Sequence, residues 1–99
     1  MKAQMYNYSI WIPNVNVKAL VEYLKELLKT AEFAVVGFSE HEFKPQGYSC
    51  AFLLSESHLA VHTFPEEDSI NIQLTSCVLD PFIRFTHSLN IEAIKLLGD

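Results

Sequence analysis

An α+β two-layer sandwich, with an antiparallel sheet of about four to five strands and two helices on one face, is predicted by three features of the sequence. Short runs of alternating apolar and polar residues recur along the chain. They follow one another through short connections, and only two segments carry helical spacing. The element order is β-α-β-β-β-β-α. Strands joined by such connections pair antiparallel, and an antiparallel sheet can bury one face under helices.

Met5 to Ile12 alternates, placing Tyr6, Tyr8, Ile10 and Ile12 on one face of a strand. Pro13 ends it, and Asn14 or Asn16 can cap the next element. From Val17 to Lys29, Leu20, Val21, Leu24, Leu27 and Leu28 recur at helical spacing, with Lys18, Glu22, Lys25 and Glu26 elsewhere. Phe33 to Phe43, rich in aromatic and branched residues, is a strand, and Lys44 to Gly47 is a turn. Tyr48 to Leu54 and His58 to Phe64 follow as strands, the latter stopped by Pro65 and the acidic turn Glu66, Glu67, Asp68. Ile70 to Cys77 sets Ile70, Ile72 and Leu74 against Asn71, Gln73 and Thr75. Asp80 then caps a helix from Pro81, with Phe82, Phe85, Leu89, Ile91, Ile94 and Leu97 directed inward.

The 99 residues suit a single domain, 1–99, with one core, and 49% hydrophobic content with three glycines and four prolines argues against disorder. A net charge of −5 with no lysine or arginine block excludes a nucleic acid partner from expectation. Gln4, Asn7 and Ser9 interrupt any leader-like apolar stretch, and runs such as Ala51 to Leu54 are too short to span a membrane. Cys50 and Cys77 read as free thiols of a reducing compartment, so a cytoplasmic location is expected.

Polar residues gather between Ser49 and Cys77: Ser49, Cys50, Ser55, Glu56, Ser57, His58, His62, Thr63, Glu66 and Cys77. Serine, histidine and cysteine supply nucleophilic and acid–base chemistry. No G-x-S-x-G elbow supports a hydrolase triad. His58 and His62 share a strand face but stand about 13 Å apart at ~3.3 Å per residue, too far to share an ion, so no metal is expected.

The run SESHLAVHTFPE, Ser55 to Glu66, resembles the signature of the small prokaryotic S-adenosylmethionine decarboxylase proenzymes. The likeness extends upstream through His41, Phe43, Pro45, Gly47 and Ser49 and downstream to Cys77. The resemblance implies self-cleavage between Glu56 and Ser57, giving a β chain 1–56 and an α chain 57–99. The Ser57 hydroxyl attacks the Glu56 carbonyl to form an ester, while Ser49 and His62 stabilise the oxyanion and His62 serves as base for the Ser57 α-proton. Elimination and hydrolysis leave a pyruvoyl group at position 57, which forms a Schiff base with the substrate amine. Cys77 matches the family's proton donor, Phe43 and Phe64 match positions lining the adenosyl pocket, and Glu66 matches one suited to the ribose hydroxyls. The implied assembly is a homodimer of cleaved protomers, and the implied reaction is decarboxylation of S-adenosylmethionine for spermidine synthesis.

Two alternatives accompany that reading. Relatives using the same cofactor decarboxylate arginine or ornithine, and the acidic Glu66, Glu67 and Asp68 suit a cationic substrate. A non-processing homologue could serve as a binding or regulatory subunit. The chain departs from the family pattern at Phe64, where tryptophan or tyrosine is common, at Gln73, where aspartate is common, and at Val78, where glycine is typical. It also lacks the usual glycine after Pro65–Glu66, the amino-terminal Gly-x-His element, and a further strand after Leu97. His58 is expected to be structural and Cys50 buried and inert. Strict alternation puts Ser57 and His62 on opposite faces, so a bulge or loop around Ser55 to His58 is expected to bring them together.

Overall fold

A computed structural model describes residues 3–97, with side chains through Leu96. The chain runs β1 (Tyr6–Pro13), α1 (Val17–Thr30), β2 (Val35–Glu42), β3 (Tyr48–Leu54), β4 (Ser57–Phe64), β5 (Ser69–Ser76) and α2 (Leu79–Leu97), with a single 3-10 turn at Pro65–Glu67 before β5. The five strands form one sheet in the order β1-β5-β4-β3-β2, every pairing antiparallel. Strands β2 to β5 form a meander, and β1 pairs beside the last of them. Helix α1 therefore connects the two edge strands. This is the expected α+β two-layer architecture.

Each element follows from its local sequence. The Asn16 side chain accepts a hydrogen bond from the Ala19 N–H at 2.9 Å, satisfying a donor that α1 cannot pair internally. Leu20, Val21, Leu24, Leu27 and Leu28 form its buried stripe. On the sheet, Ile12, Cys50, Phe52, Leu54, Leu59, Val61, Ile70, Ile72 and Leu74 meet that stripe from four strands. Helix α2 adds Phe85, Leu89 and Ala93, one helical turn apart, and Phe33 meets Phe85 edge-on at 6.4 Å. Arg84 closes the C-terminal end of α1, donating to the Ala31 carbonyl at 3.1–3.2 Å and pairing with Glu32 at 2.9 Å. Because the Phe85 ring is fully buried, Phe85→Ala is expected to lose about 3–5 kcal/mol of stability, read as a lowered denaturant midpoint.

Several boundaries differ from the sequence-based expectation. Helix α2 begins at Leu79, so Asp80 lies within its first turn and does not cap it. Ile91 and Ile94 are exposed, at 45% and 66%, because the buried stripe through Phe85 and Leu89 continues to Ala93. The expectation for the Leu97 side chain lies outside the described residues. Strand β2 starts at Val35, with Phe33 buried in the connection before it, and Cys77 lies just past β5. Strand β4 starts at Ser57, one residue earlier than expected.

The sheet thus has two unlike faces. One is covered by the helices except along β2, which stays largely exposed. The other carries Asn7, Ser9 and Trp11 from β1, Ala51 and Leu53 from β3, and His58, Ala60, His62 and Phe64 from β4. On this open face the Trp11 and Phe64 rings pack at 5.3 Å.

Candidate active site

Strands β3 and β4 are joined by a two-residue turn, Ser55–Glu56, with Leu54 directly opposite Ser57. The turn is anchored by the Ser55 N–H donating to the Ala34 carbonyl at 3.1 Å. Ser57 is therefore the first residue of β4, and alternation turns its side chain toward the helix layer, where it is only 7% exposed. Across the ladder it faces Ser76, and the Ser57 hydroxyl donates to Ser76 Oγ at 2.7 Å. Glu56, whose carbonyl precedes Ser57, is gripped from β5's end. Its oxygen accepts from the Cys77 N–H at 3.3 Å and from the Cys77 thiol at 3.0 Å. Two donors converge on the carbonyl that the adjacent hydroxyl can attack, an arrangement that favours charge developing on that oxygen.

A second cluster sits at the other end of the same strands. Ser49 and His62 are register partners on the open face, and Ser49 Oγ is hydrogen-bonded to His62 Nδ1 at 2.8 Å. The serine hydroxyl donates when His62 carries its proton on Nε2, which leaves that proton directed away from the serine. The row continues across the sheet: His41 pairs with Ser49, and His62 with Asn71. Asn71 is buried and donates to Ser9 Oγ at 3.1 Å and to the Ile10 carbonyl at 3.2 Å. Phe43, just beyond β2, packs edge-on against His41 at 4.5 Å and is half exposed. Gly47, at φ +114°, turns the chain back so that its carbonyl accepts the Phe43 N–H at 2.8 Å, a conformation side chains rarely adopt. Phe64 lies against Trp11 at this end, and Glu66 is exposed on the 3-10 turn with Glu67 and Asp68.

The structure does not bring these clusters together within one chain. Strand β4 keeps an unbroken register from Ser57 to His62 against β3 and from Ser57 to Phe64 against β5, so the bulge expected near Ser55 to His58 is not there. The two-residue turn already reverses the chain at the strand's start, leaving no extra residue to shift the alternation. Ser57 and His62 consequently occupy opposite faces, about 16 Å apart along the strand at ~3.3 Å per residue. The donors that hold the Glu56 carbonyl belong to Cys77, not to Ser49 and His62 as expected. Ser76 was missed as a site residue, although a serine in phase with Ile70, Ile72 and Leu74 on an apolar face was a readable signal.

A groove of about 750 Å³ lies elsewhere, between α1 and the β2–β3 edge, beside Val21, Phe38, Glu40 and Tyr48. There burial and a 2.6 Å hydrogen bond to Glu40 push the Tyr48 phenol far above its ordinary range. No serine, histidine or cysteine lines the groove, and the motif residues that carry those groups lie in the two clusters. The cysteines differ sharply. Cys50 is buried, and that burial raises its pKa, whereas Cys77 is exposed. Alkylation by iodoacetamide is expected to modify Cys77 at least about tenfold faster than Cys50, as peptide mapping would show.

Fold and site together define a two-layer α+β chain whose sheet sets a serine hydroxyl beside its own preceding carbonyl, a geometry suited to rearranging the backbone. The model for S-adenosylmethionine decarboxylase matches residues 14–87. The S-adenosylmethionine decarboxylase proenzyme of Clostridium botulinum strain Hall is 39% identical over 62 residues, covering 63% of this chain and 53% of the relative. That of Symbiobacterium thermophilum is 39% identical over 70 residues, covering 69% and 53%. The crystal structure of the adenosylmethionine decarboxylase from Aquifex aeolicus VF5 has the same fold, with a TM-score of 0.74 at 19% identity over 94% of this chain and 82% of that one. The chain belongs to the S-adenosylmethionine decarboxylase family. Its matches span about half the length of these curated relatives.

Proposed function

We propose that this chain cleaves itself between Glu56 and Ser57 and then acts as a pyruvoyl-dependent decarboxylase of S-adenosylmethionine. The observation that carries the reading is the cleavage-site geometry: the Glu56 carbonyl held by both donors of Cys77, with a buried, oriented Ser57 hydroxyl on the next residue. The relatives' names, which call them proenzymes, support it.

Ser57 Oγ adds to the Glu56 carbonyl carbon, and the charge forming on that oxygen falls on the Cys77 N–H and S–H. The C–N bond breaks as the hydroxyl proton passes to the Ser57 nitrogen, leaving an ester. Loss of the Ser57 α-proton then breaks the Cβ–Oγ bond and frees a carboxylate at Glu56. Water replaces the nitrogen of residue 57, which leaves as ammonia, giving chains 1–56 and 57–99. The pyruvoyl group supplies a carbonyl able to accept the electrons released with carbon dioxide. Cys77, beside the residue that pairs with position 57, is positioned to return a proton to the product.

The α-proton needs a base. In a strand the α-hydrogen lies on the side away from Cβ, so that of Ser57 is directed toward the open face, but His62 of the same chain is about 16 Å away along the strand at ~3.3 Å per residue. A second copy resolves this. The open face combines the Trp11–Phe64 pair, Leu53 and two small alanines, Ala51 and Ala60, with the Ser49–His62 pair, a surface suited to sheet-on-sheet packing. A homodimer joining the Ser57 cluster of one protomer to the Ser49–His62 cluster of its partner supplies the base. The same interface gives Phe43 and Phe64 a cleft in which to stack the adenosyl group. Glu66 remains a candidate for the ribose hydroxyls, at the edge of that surface. Among the described residues no helix is long and apolar enough to cross a membrane, and a reducing, cytoplasmic setting suits a functional Cys77 thiol.

Release of carbon dioxide from carboxyl-labelled S-adenosylmethionine, arginine and ornithine tests the substrate. Turnover of S-adenosylmethionine at least about a hundredfold more efficient than either amino acid is expected, since only it has an adenosyl group for the aromatic pair. Preference for arginine or ornithine would overturn the assignment.

A further inference from the structure

Self-cleavage requires more than a serine beside a carbonyl, because most Glu–Ser peptides in proteins are inert. A serine hydroxyl can rotate among several partners, and only orientations that aim a lone pair at the preceding carbonyl carbon are productive. What fixes the hydroxyl in this chain is Ser76. It is wholly buried, directly across the ladder from Ser57, and its oxygen lies 2.7 Å from Ser57 Oγ. Ser76 is itself held in place. Its Oγ accepts the Val78 N–H at 3.0 Å and donates to the Val78 carbonyl at 3.1 Å. Its one proton and two acceptor sites are therefore all used, and the acceptor site left for Ser57 points one way only.

The consequence for Ser57 is specific. Its proton is committed to Ser76, so its lone pairs are the part of the hydroxyl left unengaged. Ser76 is wholly buried and Ser57 only 7% exposed, which limits competition by bulk water for that proton. The loop through Cys77 also links both halves of the reaction. Residues 76, 77 and 78 are consecutive, so one short segment holds the attacking hydroxyl through Ser76 and the attacked carbonyl through Cys77.

We infer that Ser76 is a positioning residue for self-cleavage, holding the Ser57 hydroxyl so that its oxygen is presented to the Glu56 carbonyl. This rests on the self-processing reading above. The rearrangement it serves is an isomerisation: a C–O bond forms between Glu56 and Ser57 Oγ, the Glu56–Ser57 C–N bond breaks, and the hydroxyl proton ends on the Ser57 nitrogen. No outside reagent is consumed.

The test is a time course of intact mass on full-length protein made by cell-free translation, with wild type, Ser76→Ala, Ser76→Cys and Ser76→Thr compared. Hydroxylamine added in parallel intercepts the ester and reports its formation separately from the later elimination. Ser76→Cys keeps the side-chain shape at a slightly larger size while weakening the acceptor, so it remains informative where the alanine variant folds poorly. Ester formation in the alanine and cysteine variants is expected to slow by about tenfold to a hundredfold, with threonine restoring it to within about fivefold of wild type. Cleavage of the alanine or cysteine variant within about threefold of wild type would overturn the inference, as would threonine being as slow as alanine, the mark of a packing role. A wild-type chain that stays whole would instead remove the self-cleavage on which the inference rests.

Discussion

Ser57→Ala leaves the chain whole and without decarboxylase activity. The effect is expected to be complete, because the substitution removes Oγ, which is both the attacking atom and the atom whose later elimination creates the dehydroalanine from which the ketone forms. It is also expected to leave the fold intact. The hydroxyl lost is one buried partner of Ser76, whose remaining hydrogen bonds to Val78 persist, so the cost is about 1 kcal/mol. Intact mass and carbon dioxide release are the two measurements, and circular dichroism confirms folding. Because one chemical event underlies both, cleavage and activity should vanish together. An active Ser57→Ala protein would end the pyruvoyl account.

Co-expression of Ser57→Ala with His62→Ala restores cleavage that neither variant shows alone. The expectation follows from the unbroken register of β4, which holds Ser57 and His62 about 16 Å apart within one chain at ~3.3 Å per residue. If each reaction centre draws Ser57 from one protomer and His62 from its partner, a mixed dimer contains one complete centre and one lacking both groups. The chain that is cut must be the one carrying His62→Ala, since it retains Ser57. Distinct affinity tags identify it by mass. In the extreme, recovery runs from an undetectable level to about half of the mixed dimers' chains, by the symmetry of a two-fold assembly. If His62 acts within its own chain, through a rearrangement of β4, the mixture stays uncut.

Much of this was readable in the sequence, for identifiable reasons. Alternation in β1 and β5 and the leucine stripe of α1 follow from one-sided burial, so they fixed the sheet, its helix-covered face and most of the core. An asparagine cap for α1, at Asn14 or Asn16, was legible because side-chain acceptors precede the apolar stripe, and the structure selects Asn16. The C-terminal half of α2 misled because Ile91 and Ile94 look like core residues, while the small Ala93 takes the buried position. At the site, the motif from Ser55 to Glu66 named the residues, and alternation correctly separated Ser57 from His62. The error lay in assuming that residues of one motif must meet within one chain, which led to a bulge that the hairpin does not contain. Pairing across strands was the hidden part. The place of Ser76 on the apolar face was legible, but its pairing with Ser57 and the double grip of Cys77 on Glu56 depend on the β4–β5 register, which no local pattern specifies.

The decisive measurement is the mass of the purified, catalytically competent protein under denaturing conditions. Two chains meeting at Glu56 and Ser57 are expected, the second lighter by one ammonia than simple hydrolysis would give and refractory to amino-terminal sequencing. A competent protein whose Glu56–Ser57 bond is whole, or whose second chain begins with an ordinary serine amine, would contradict the account.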